Sequence, residues 1–97
     1  MSDTDIIVNI LKEKLQATHV GIIDESAAHR GHKAAGGGGH YAVTVVSEQF
    51  KDVNLLDQRR MVYSALEDQI SGTSTTPKLI HALQIKTMTP GEWENNN

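Results

Sequence analysis

The chain has no cysteine among its 97 residues. That excludes disulfides, thiol nucleophiles and any metal site built on the chain's own thiolates. Proline is almost as scarce, with two residues, and aromatic side chains make up only 4%. No apolar run approaches the roughly 20 residues that a bilayer-spanning helix needs, so no membrane is expected to hold this chain. The start, Met1-Ser2-Asp3-Thr4-Asp5, lacks the basic opening and apolar run of a secretory signal. With no disulfide to maintain, a reducing cytoplasm suits the chain, and a cytoplasmic location is the expectation. A basic surplus is missing too: net charge is −3 with histidine neutral, which counts against a non-specific nucleic-acid binder. Apolar residues, at 38%, suffice for one modest core. A single domain over residues 1–94 is expected, with 95–97 as a fraying tail.

What the chain does have is histidine, five in all. His29, His32 and His40 share one glycine-rich stretch, H-R-G-H-K-A-A-G-G-G-G-H, and His81 stands alone in I-H-A-L. Imidazole is the commonest side-chain metal ligand. Several imidazoles without a thiolate offer a metal nitrogen and never sulfur. A sulfur-loving centre on this chain would take its sulfur from another molecule.

Residues 2–16 read as a helix, capped by Ser2 or Asp3, with Ile6, Ile7, Ile10, Leu11 and Leu15 on one stripe. T-H-V-G-I-I-D is a short strand. Residues 27–39, ending in four glycines, are a loop expected to be mobile. H-Y-A-V-T-V-V-S is the clearest strand, with Tyr41, Val43 and Val45 on one face and Ala42, Thr44 and Val46 on the other. S-E-Q-F-K-D makes a turn. Asn54 then caps a long helix with Asp57 as its acidic N3 partner, and Gly72 ends it. I-H-A-L-Q-I-K-T is a third strand, broken by Pro90, and G-E-W-E folds Trp93 back on the domain. The order is α-β-β-α-α-β, an α+β domain with helices on one face of a small mixed sheet.

His40 and His81 each stand near a strand start. If those strands are neighbours, two imidazoles meet at one end of the sheet, beside the glycine-rich loop. His81 also shares strand parity with Leu83 and Ile85, so a core-edge histidine bonded to backbone is the competing reading. His29 and His32 are equally readable as polar loop residues. Lys51, Arg59 and Arg60 offer a basic patch near the start of the long helix, set against Asp57, Glu67 and Asp68. We expect the arginines to act at a protein surface rather than on nucleic acid. The glycines do not follow phosphate-loop spacing, and no catalytic triad, carboxylate pair or H-E-x-x-H motif is present. No enzyme is expected.

H-Y-A-V-T-V-V-S-E-Q-F, M-V-Y-S-A-L-E-D and I-H-A-L-Q-I-K-T-M-T-P-G-E-W together resemble the BolA-like proteins. The resemblance implies a fold similar to a class II KH domain, with three strands in a mixed sheet. It implies a monothiol glutaredoxin as partner and a [2Fe–2S] cluster shared with that protein and its glutathione. The family's C-terminal histidine falls on His81. Its second ligand, from the loop before the second strand, falls on His32 or His40, with His29 the weaker option. Each histidine must be neutral to ligate, so cluster binding should weaken as pH falls through the ordinary imidazole range, roughly 6.5 and below. Some members are described as transcriptional regulators, which makes DNA binding by the helix pair, with Lys51, Arg59 and Arg60, the alternative function. The chain departs from the family in two places. Gln58-Arg59-Arg60 stands where many members have R-H-R, and Asp52 stands where many have glycine. The KH clamp G-x-x-G is missing between the helices.

Overall fold

The computed structural model describes residues 2–25 and 39–95. The chain runs α1 (Asp3–Lys14), β1 (His19–Asp24), β2 (Gly39–Val46), a single 3-10 turn (Glu48–Phe50), α2 (Leu55–Ala65), α3 (Glu67–Ser71), β3 (Ile80–Met88) and α4 (Pro90–Asn95). The strands form one sheet in the order β1-β2-β3. β1 pairs antiparallel with β2, and β2 pairs parallel with β3. A parallel pair needs a long crossover, and the turn with α2 and α3 supplies it. This is the expected α-β-β-α-α-β order in an α+β domain, with α4 added at the end. The expected mobile loop lies outside the described residues, except Gly39, which opens β2.

Local chemistry explains the starts of α1, α2 and α4. Ser2 accepts a hydrogen bond from the Asp5 amide and caps α1, with Asp3 and Asp5 in its first turn. Asn54 Oδ1 accepts from the Asp57 amide at 2.8 Å, as the sequence predicts. Thr89 and Glu92 cap α4 reciprocally: the Glu92 amide donates to Thr89 Oγ1, and Glu92 Oε1 accepts from the Thr89 amide. Pro90, between them, takes the first helical position, where its missing N–H costs nothing.

Two boundaries differ from the sequence reading. The long helix divides at Leu66, which turns out to φ −106° and ψ 14° while its side chain stays fully buried. Gly72 still ends the second piece, and its φ of 75° is one that glycine tolerates best. Asn95, expected in the frayed tail, is the last residue of α4.

The core joins Ile7 and Leu11 of α1, and Leu15 just after it, to Tyr41, Val43 and Val45 of β2, with Phe50, Val62, Leu66 and Ile80. Burial of side chains this size contributes roughly 1.5–3 kcal/mol each. Ser47 is a fully buried polar residue of this interior. Its hydroxyl donates to the Leu15 carbonyl at 2.7 Å and accepts from the Gln49 amide at 3.0 Å. One fully buried hydroxyl thus satisfies the end of α1 and caps the 3-10 turn.

Candidate functional site

β2 and β3 run in regular register from His40↔Ala82 to Val46↔Met88. Below that the register shifts, because Gly39 pairs with Ile80. One step along β2 therefore matches two along β3, and His81 is the extra residue, as in a β-bulge. The bulge cancels the parity read from the sequence. Ile80 takes the core position at 1% exposure, and His81 is exposed rather than aligned with Leu83 and Ile85. The core-edge reading of His81 is corrected on that ground.

The same bulge brings His81 beside His40. Their ring centres lie 5.2 Å apart and the planes are tilted by 53°. A metal sits about 2.1 Å from an imidazole nitrogen, so roughly 3.2 Å from the ring centre. Two rings on one metal at a tetrahedral angle would then have centres roughly 5.2 Å apart. The observed spacing is compatible with two ligands to one ion, and it is also that of an ordinary tilted ring contact. His40 is held by its backbone, since its carbonyl accepts from the Glu25 amide at 2.7 Å. Among the described residues no group of three or more His, Cys, Asp or Glu converges on a point. Two nitrogens are half of a tetrahedral set, so the remaining ligands would come from elsewhere. His29 and His32 lie outside the described residues.

The basic candidates stand apart from this pair. Lys51 is in the turn before α2, and Arg59 and Arg60 are exposed on α2 itself. Arg60 pairs with Asp57 at 3.3 Å across exposed surface, a contact of small energetic weight. Gln58, which replaces the family's arginine, turns inward. Its amide nitrogen donates to the Val53 and Phe50 carbonyls, and its oxygen accepts from Thr87. Beside His40, burial first, then the charges of Asp24 and Asp3, push the Tyr41 phenol above its ordinary 10.0.

Sequence reasoning gave His19 no role. Its ring stacks on Trp93, with centres 4.4 Å apart. The signal that fixes Trp93 was present in the T-x-x-E capping box just before it. No described helix is long and apolar enough to cross a membrane.

The BolA-like protein family profile matches residues 11–92. The chain is 34% identical, over 87% of its length and 72% of the relative's, to a protein of Escherichia coli named DNA-binding transcriptional regulator BolA. It is 40% identical to Protein BOLA2 of Arabidopsis thaliana, over 87% of this chain and 75% of that one. Among solved structures, the BolA domain of SufE1 from Arabidopsis thaliana superposes with a TM-score of 0.76 at 28% identity, covering 95% of this chain and 96% of that one. These relatives are named as regulators or by family, not as enzymes. The matched segment takes in both strands that carry the histidine pair and the helices that hold them, and a likeness of that extent assigns this chain to the BolA-like family.

Proposed function

We propose that this domain is a non-catalytic partner of a monothiol glutaredoxin. In that pair it supplies the histidine ligands of a shared [2Fe–2S] cluster, in iron–sulfur trafficking or iron regulation. The observation that carries the reading is the His40–His81 pair, 5.2 Å apart at one end of the parallel strands. His32, or less favourably His29, is the competing source of the second nitrogen.

A cluster of this kind takes nitrogen at one iron and thiolate at the other. A chain with five histidines and no cysteine suits only the nitrogen half. The glutaredoxin cysteine and glutathione would supply the sulfurs. This chain's part is to hold its imidazoles: the β-bulge sets His81 outward, and the Glu25–His40 backbone bond fixes the start of β2. Co-purification with a monothiol glutaredoxin, read by absorption and EPR, tests the reading. A cluster spectrum identical to that of the glutaredoxin alone, unchanged by this chain, refutes it.

The name of the E. coli relative favours a second reading, DNA binding through Lys51, Arg59 and Arg60. Against it stand the net charge of −3 and the inward turn of Gln58. The two separate in a gel shift at physiological salt. Sequence-specific binding by the isolated chain that disappears on changing Arg59 and Arg60 to Ala supports DNA.

A further inference from the structure

α2 carries a second surface that the histidine pair does not use. Leu55, Leu56, Arg59, Arg60 and Tyr63 follow at i, i+1, i+4, i+5 and i+8, which is one face of a helix. Every one of them is exposed. Leu55 at 54%, Leu56 at 58% and Tyr63 at 45% are three of the four exposed large hydrophobic residues among the described ones. The opposite face, with Gln58, Met61, Val62 and Ala65, packs inward. Scattered surface leucines need no explanation, but three large apolar groups interleaved with two arginines on one stripe do.

The charge on the stripe is positive. Asp57 partners Arg60, and no ion pair forms with Arg59 among the described residues. Around α2 from the leucines, a shallow open depression lies between the end of α1 and α2, and of the stripe only Arg60 lines it. Lys14 and Arg60 are its exposed rim, and Met61 and Ala65 its less accessible floor. Exposed leucines and a tyrosine between the cations fit nucleic acid poorly, since phosphate contacts favour polar and charged neighbours. They fit a helix that lays apolar side chains against the two leucines and Tyr63 and acids toward the arginines.

The place of this surface matters as much as its chemistry. Gln58 meets Thr87, at the C-terminal end of β3, whereas His81 lies at the N-terminal end. Six residues of strand, roughly 20 Å at about 3.3 Å per residue, separate Thr87 from His81. The first turn of α2 and the histidine pair therefore lie toward opposite ends of β3.

We propose that this face of α2 docks an acidic amphipathic helix of a second protein, so that the domain joins two partners at opposite ends of its sheet. The docking does not depend on the cluster.

The probe is a synthetic peptide with leucines at i, i+3, i+4 and i+7 and glutamates on the flanks. It is titrated into the isotope-labelled full chain, without metal, and followed by amide NMR shifts. Saturable shifts centred on Leu55–Tyr63 are expected. Arg59→Glu should weaken binding about 10-fold, because it puts repulsion where the attraction was. Leu56→Ser should weaken it by a similar factor, and His81→Ala should leave it unchanged. Arg59 forms no ion pair among the described residues, so the charge reversal remains readable if the leucine variant folds poorly. Four outcomes overturn the proposal: no saturable shift, equal binding by a peptide of the same composition in scrambled order, tighter occupation of the same amides by a short DNA duplex, or concentration-dependent self-association through α2 with no peptide bound. None of them bears on the histidine pair.

Discussion

The His19 imidazole lies nearly flat on the Trp93 indole, with ring centres 4.4 Å apart and planes 18° from parallel. The contact joins the first strand to the last helix. In β1 side chains alternate, so His19 leaves the face that Val20 and Ile22 give to the core. Its Nε2 lies 3.6 Å from where a Cβ on Gly21 would stand, which places the ring over Gly21 on that other face. Trp93→Ala removes the stack and unmoors α4. A loss of about 1–3 kcal/mol is expected, below that of a fully buried tryptophan because Trp93 is only half-buried. His19→Ala should lose about 0.5–1.5 kcal/mol. Urea midpoints with an unchanged m-value check both, and the single tryptophan is its own fluorescent reporter for the histidine variant.

Ser47→Ala leaves the Leu15 carbonyl and the Gln49 amide without their shared hydroxyl. Removing a buried partner from two backbone groups should destabilise the fold by about 1–3 kcal/mol. A shift below about 0.5 kcal/mol in denaturant unfolding would show that water takes the place of the hydroxyl at little cost.

These two sites show where the sequence was legible. The strand of Tyr41, Val43 and Val45 and the Asn54–Asp57 cap were readable because alternation and capping are local. The placing of His40 beside His81 was a conditional, since it required the two strands to be neighbours, and pairing is not local. The β-bulge at His81 and the turn at Leu66 were not legible. Each is one residue's departure from a regular period, and periodicity averages such departures away. The family likeness supplied the importance of His81, but only the register shift explains why it points out of the core. Gln58 shows the reverse case, a departure from the family motif whose side chain proves to be structural.

Asp52, where the family resemblance leads one to expect glycine, adopts φ 62°, in the left-handed region. A side chain there costs about 1–2 kcal/mol, less for aspartate than for most residues. Glycine removes that cost but loses more backbone entropy on folding. Asp52→Gly should therefore stabilise by up to about 1 kcal/mol, seen as a higher melting temperature. Gly72→Ala, at φ 75° with the Lys78 backbone 3.3 Å from the new Cβ, should destabilise by at least about 1 kcal/mol.

Tyr41 sets an alkaline limit. Its folded value is raised by burial and by Asp24 and Asp3, above an ordinary 10.0. The folded state therefore holds the proton longer than the unfolded chain. The contribution is fully present below the unfolded value and is lost as pH rises from there through the folded one. Tyr41→Phe should lose this part of the alkaline slope. The difference between wild-type and variant unfolding free energies should be flat below pH ~9 and fall above pH ~10. A difference that stays flat through that range would mean the phenol titrates alike in both states.

His81→Ala separates a ligand from a structural histidine. The side chain is exposed and sits at a bulge outside the regular register. Its removal should change stability by no more than about 0.5 kcal/mol, as for other surface positions. The proposed cluster, by contrast, should lose one of its two nitrogens, and its absorption and EPR spectra with glutaredoxin should change or vanish. His40→Ala should act in the same direction, because its ring shares the site at 5.2 Å. If His32 is the second ligand instead, His40→Ala should leave the spectrum largely intact and His32→Ala should alter it, with His29→Ala altering it least. A folded His81→Ala variant with the wild-type spectrum would remove the ligand role. A variant that fails to fold would show that the bulge itself needs the imidazole.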